Sequence, residues 1–143
     1  EMCIRDSPMM TLFDAPSRES SCVGRTRSNT ALQSLGMFNE TQRVEAARAL
    51  AERLLMEKGT DSSRLEKLYR WLTCRAPSDA ERVACEQLLA ESRKRFAGSE
   101  KDAQALLQVG MHSPNPKLPV TDLAAWSQLV ATVLASDAVI TLY

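Results

Sequence analysis

Apolar residues recur at helical spacing along most of this chain, while residues 18–27 lack a period and read as an ordered loop or a short strand around Cys22-Val23. Val44, Ala47, Leu50, Ala51, Leu54 and Leu55 form one stripe, predicting a helix over 40–58 with Arg43, Arg48, Glu52 and Glu57 largely outside it. Leu65, Leu68, Tyr69 and Leu72 share the face of a helix over 61–74, with Trp71 to one side. A helix over about 79–96 turns Ala84/Cys85, Leu88/Leu89 and Phe96 inward. Ala103, Leu106 and Leu107 mark a shorter one over 100–109. Leu123, Trp126, Leu129, Val130, Val133 and Leu134 give the widest stripe, over 122–135, expected near the middle of the core. A short helix over 30–38 precedes these, with Leu32, Leu35 and Phe38 as its buried side. Residues 136–143 extend the last helix or lie beyond it.

Punctuation agrees with the pattern. Ser28 or Asn29 is expected to cap the first helix, Asn39 the second, Asp61 or Ser62 to start the third and Thr121 to cap the last. Gly59 is read as the residue ending the second helix. Arg75-Ala76-Pro77 stops the third, because the residue before proline avoids the helical region. Ser78-Asp79-Ala80-Glu81 is a capping box. So short a link makes the helices on either side an antiparallel hairpin. Three prolines keep residues 110–119 out of regular structure. The fold class is all-α: five or six helices in an irregular bundle, with an extended N-terminal arm over 13–28.

Length and composition narrow the function classes. At 143 residues with 44% apolar and 25% charged residues, the chain can bury one domain core. Lys plus Arg equals Asp plus Glu, 18 each, so there is no net field to recruit nucleic acid. No apolar run reaches the roughly 20 residues of a membrane span. His112 is the only histidine and no cysteine pair has C-x-x-C spacing, so zinc and haem attachment are unsupported and no metal or cofactor is expected. Residues 1–7, EMCIRDS, resemble the translation of a sequencing-library adapter and are excluded as a non-native scar. Residues 8–143 are then one helical domain at the C-terminal end of a larger protein. Cys3 goes with the scar, and Cys22, Cys74 and Cys85 are expected as buried free thiols. Met9, Met10, Met37 and Met56 read as core filler.

The unusual chemistry sits in the arm. Asp14, Arg18, Glu19, Arg25 and Arg27 are the candidate ligand-binding residues, since arginine forks bind carboxylate or sulfate in bidentate fashion. The competing reading is that they tie an irregular loop to the helices. No catalytic residue is assigned. Thr30, Gln33 and Asn39 read as backbone-bonding residues, His112 as an exposed side chain, and both tryptophans as core.

FDAPSRESSC (13–22), RTRSNTALQSL (25–35), FN (38–39) and VEAARALAERLL (44–55) resemble domain of unknown function 1553, C-terminal part. LTCRAPSDAE (72–81) is similar to that family's helix–G-R-x-P–helix junction, with Cys74 where the family usually has Gly. LAAWSQLVATVL (123–134) resembles its closing Trp-containing helix. The resemblance implies a large secreted or periplasmic protein of the planctomycete type, often carrying domain of unknown function 1549 and sometimes a cytochrome-c-like domain. Its implied partners are upstream domains of the same chain. The implied role is structural or site-completing. The alternatives are part of an enzyme acting on extracellular polysaccharide, or an electron-transfer partner of a cytochrome-like domain.

Overall fold

The computed structural model describes residues 12–15, 24, 28 and 30–140. These form seven helices and no strand: α1 (Ala31–Asn39), α2 (Thr41–Met56), α3 (Asp61–Thr73), α4 (Asp79–Gly98), α5 (Glu100–Leu107), α6 (Val120–Leu134) and α7 (Asp137–Ile140). The all-α class holds. The helix beyond the expected six is α7, four residues long, which follows a break at Ala135-Ser136. The backbone divides into two compact units, Glu1–Glu40 and Thr41–Tyr143.

In the first unit, Thr30 caps α1 in place of Ser28. The Gln33 N–H donates to Thr30 Oγ1 and the Thr30 N–H to Gln33 Oε1, a reciprocal capping box. Leu32, Leu35 and Phe38 are exposed, and the buried residue of α1 is Gln33. The apolar face expected to be buried is therefore turned out, because the polar Gln33 is claimed by the turn at 12–14. Asn39 ends α1 instead of starting the next helix, and its Nδ2 donates to Leu35 O at 2.8 Å.

The second unit is built around α6. Trp126, Leu123, Leu129, Val130 and Val133 are buried on it, as its wide stripe requires. It packs against α2, α4 and α5. Ala47, Ala51 and Leu54 of α2, Leu89 and Phe96 of α4, and Ala103 and Leu107 of α5 complete the core. The Trp126 indole N–H is buried without an acceptor, a cost of about 1–3 kcal/mol set against full burial of the largest side chain in the core. On α4 Cys85, Leu89, Ser92 and Phe96 are buried, whereas Ala84, expected to turn inward, is exposed and Leu88 is half-buried.

Helix α3 joins through its side chains. Tyr69 meets Cys85, and Asp61 meets Arg93, so residues late in α3 face residues early in α4 and the reverse; the pair is antiparallel. Helix α3 is capped by Thr60 and ends at Thr73, where Cys74 adopts the left-handed conformation with φ 57°. Ser78 and Glu81 form their capping box at the start of α4. Two expected signals act differently. Gly59 has no positive φ, and the C-terminus of α2 is closed by Arg64, whose Nε donates to Leu54 O at 3.1 Å and Nη2 to Glu57 O at 3.1 Å. Helix α6 starts at Val120, behind Pro119.

Candidate functional site

Of the five candidate residues in the arm, the structure describes Asp14; Arg18, Glu19, Arg25 and Arg27 lie outside the described residues, as does Cys22. Asp14 has φ 54°, a left-handed conformation that Asp tolerates better than most residues. Its Oδ2 accepts from the Ser28 N–H at 2.8 Å and the Ser28 hydroxyl at 2.5 Å. These bonds, the hydroxyl first, hold the Asp14 carboxyl below the usual range. Gln33 Nε2 donates to Ser28 Oγ and to Leu12 O, both at 2.9 Å. Asp14, Ser28, Gln33 and Leu12 thus form one hydrogen-bonded cluster that pins the 12–14 turn to the start of α1. The T-x-x-Q spacing of Thr30 and Gln33 was the available signal for one end of it.

The most concentrated polar constellation in the second unit lies on α2, among residues the sequence pattern left outside the core. Arg48 is 3% exposed. Its guanidinium donates to Leu107 O, to Val109 O at 3.3 Å and to His112 O at 2.6 Å. One turn to each side stand Glu45, 3.6 Å from Nη2, and Glu52, 4.0 Å from Nε. Glu45 accepts from the Met111 N–H at 3.1 Å and the His112 N–H at 3.0 Å, and His112 Nδ1 lies 2.6 Å from its Oε1. Glu52 accepts from the Asn115 N–H at 3.0 Å. Three residues at i, i+3 and i+7 on one helix therefore hold the irregular segment 108–119 by its backbone. The Met111 N–H, then the His112 ring and N–H, bring the Glu45 carboxyl down to about 2. Gly110, with φ +105°, lets the chain pass Glu45: an added Cβ would sit 2.5 Å from Oε2 and 2.9 Å from the Glu45 Cβ. His112 is exposed as expected.

Other charged side chains are also joined across elements. Arg93 donates from Nη1 to Asp61 Oδ2 at 2.6 Å and from Nε to Asp122 Oδ1 at 2.7 Å, linking α4 to the first turns of α3 and α6. Arg75 forms a bidentate pair with Glu81 at 2.7 and 2.6 Å and brings its carboxyl to about 2. Cys85 is a buried free thiol 3.6 Å from the Tyr69 hydroxyl, and burial raises both groups. Cys74 is free but exposed, since the left-handed residue after α3 lies at the surface. Trp71 is also more exposed than a core residue, with Arg53 and Lys67 over its ring at 5.0 and 5.2 Å. Met56 is exposed rather than core filler. Among the described residues, no three His, Cys, Asp or Glu side chains are placed to hold a metal ion.

The family model PSD1, protein of unknown function (DUF1553), matches residues 4–89, more than half of the chain. The chain belongs to this family. No curated protein and no solved structure matches it. In this DUF1553 chain the matched span contains Asp14, the whole of α1, α2 and α3, and the first half of α4. Glu45, Arg48 and Glu52 fall inside the span, and the segment they hold lies beyond it. No described helix is long and apolar enough to cross a membrane.

Proposed function

We propose that this DUF1553 chain is a structural, C-terminal helical part of a larger secreted protein, one that stabilises or completes a site whose remaining residues come from upstream domains. The observation that carries this reading is the use made of Arg48. A buried guanidinium suited to binding an anion is instead filled by carbonyls at Leu107, Val109 and His112 of its own unit. Arg64 and Arg93 likewise end on partners in that unit. Asp14 is engaged by Ser28. Export to the periplasm or exterior, and a cytochrome-like domain in the same polypeptide, belong to the same proposal through the family resemblance.

Asp14→Ala and Arg25→Ala test it. Thermal melting of the chain and both variants, with and without added sulfate, separates anchorage from ligand binding, because a ligand that binds the native state raises its melting temperature. Lower melting is expected for Asp14→Ala without sulfate, and the general stabilisation by sulfate, which is excluded from protein surfaces, is expected to be equal in the parent chain and Arg25→Ala. A sulfate-dependent rise larger in the parent than in Arg25→Ala, with melting in the absence of sulfate unchanged, would establish an anion site in the arm and overturn the reading.

A further inference from the structure

We infer that Met111 is an oxidation site: a thioether held out to small peroxides on a backbone that the modification leaves in place. Three described methionines can be compared. Met37 is half-buried on α1. Met56 is 66% exposed, but its Sδ already accepts from Asn115 Nδ2 at 3.6 Å. Met111 is 94% exposed. Its backbone is nevertheless fixed. Its own N–H and that of His112 donate to Glu45, and the carbonyls of Val109 and His112 accept from the buried Arg48. Access of oxidant to sulfur sets the rate of methionine oxidation, and Met111 offers it without any local opening.

The step is an oxygen-atom transfer. The Met111 sulfur lone pair attacks one oxygen of hydrogen peroxide, the O–O bond breaks and an S–O bond forms. Sulfur is oxidised by two electrons, the peroxide is reduced, and the departing hydroxide takes the remaining proton to leave as water. Sulfoxidation disrupts structure where it makes a packed thioether polar. At Met111 the new oxygen is delivered into solvent, and the hydrogen bonds holding 109–112 use backbone atoms alone on that segment, apart from the His112 ring.

The test treats the full 143-residue chain with hydrogen peroxide and follows oxygen addition at each methionine by peptide mass spectrometry. Met111 is expected to react several-fold faster than Met37 and Met56, and chain oxidised there is expected to melt at the temperature of untreated chain. Met111→Leu is expected to remove that fast reaction while leaving the rates at Met37 and Met56 unchanged. Oxidation of Met37 or Met56 at a rate equal to or above that of Met111 would overturn the inference. So would a fall in melting temperature accompanying oxygen addition at Met111.

Discussion

Arg48 is the buried charged residue among those described, and its guanidinium reaches three carbonyls, at the end of α5 and in the segment beyond it. Removing one partner from a buried, fully bonded charge costs about 3–5 kcal/mol, because the groups left behind lose water and partner together. Arg48→Met should therefore destabilise the chain by about that amount in urea denaturation, although methionine keeps the apolar stem. Arg48→Lys should recover little, since one ammonium cannot reproduce the fork that reaches three carbonyls. Cys74 shows the opposite sign. A side chain in the left-handed region costs about 1–2 kcal/mol, while glycine gives back about 0.5–1 kcal/mol through unfolded-state entropy. Cys74→Gly should thus raise stability by about 0.5–1 kcal/mol in the same assay. The glycine that the resemblance expects at this position would take that φ without a Cβ penalty. Neither the exposure of Cys74, expected as a buried thiol, nor the burial of Arg48 was legible. The burial of Arg48 depends on carbonyls about sixty positions downstream, which no local period reports.

At the scale of elements, helices were legible wherever one face meets a core. The α6 stripe, the α3–α4 antiparallel link and the Ser78–Glu81 box follow from spacing and capping alone. Helix ends were less legible because tertiary groups decide them. Arg64 reaches back from α3 to close α2, where the sequence suggested Gly59. Apolar residues on α1 misled for a similar reason: Gln33 is drawn inward by Ser28 and Leu12, and the leucines face out. Arg93 is the junction of three elements. Its side chain is 39% exposed, so screening limits it to about 1 kcal/mol. Arg93→Ala should cost about that much, and pairing it with Asp61→Ala in a double-mutant cycle should show positive coupling.

At the scale of the whole molecule, the carboxylates that fasten segments to one another make stability fall in acid. Glu45 and Glu81 sit at about 2 in the folded chain against 4.5 for the free side chain. A carboxyl depressed on folding contributes fully above its unfolded value and is lost as pH falls through its folded value. Melting temperature should therefore decline from about pH 4.5 toward pH 2, and Glu45→Gln or Glu81→Gln should flatten the decline. Asp61, lowered chiefly by Arg93, adds in the same direction. The candidate site was legible only as a list of charged residues in the arm. Which of them meet is a property of folded geometry, and Asp14 meets Ser28 across fourteen positions.

Buried Arg48, with Glu45 and Glu52 beside it on α2, holds the irregular segment beyond α5 by its backbone. Native-state hydrogen exchange of the Met111, His112 and Asn115 amides measures it directly, because each donates to Glu45 or Glu52. All three should exchange more slowly than unbonded loop amides, and should lose that protection in Arg48→Met. Exchange at the rate of an unprotected loop in the parent chain would contradict it.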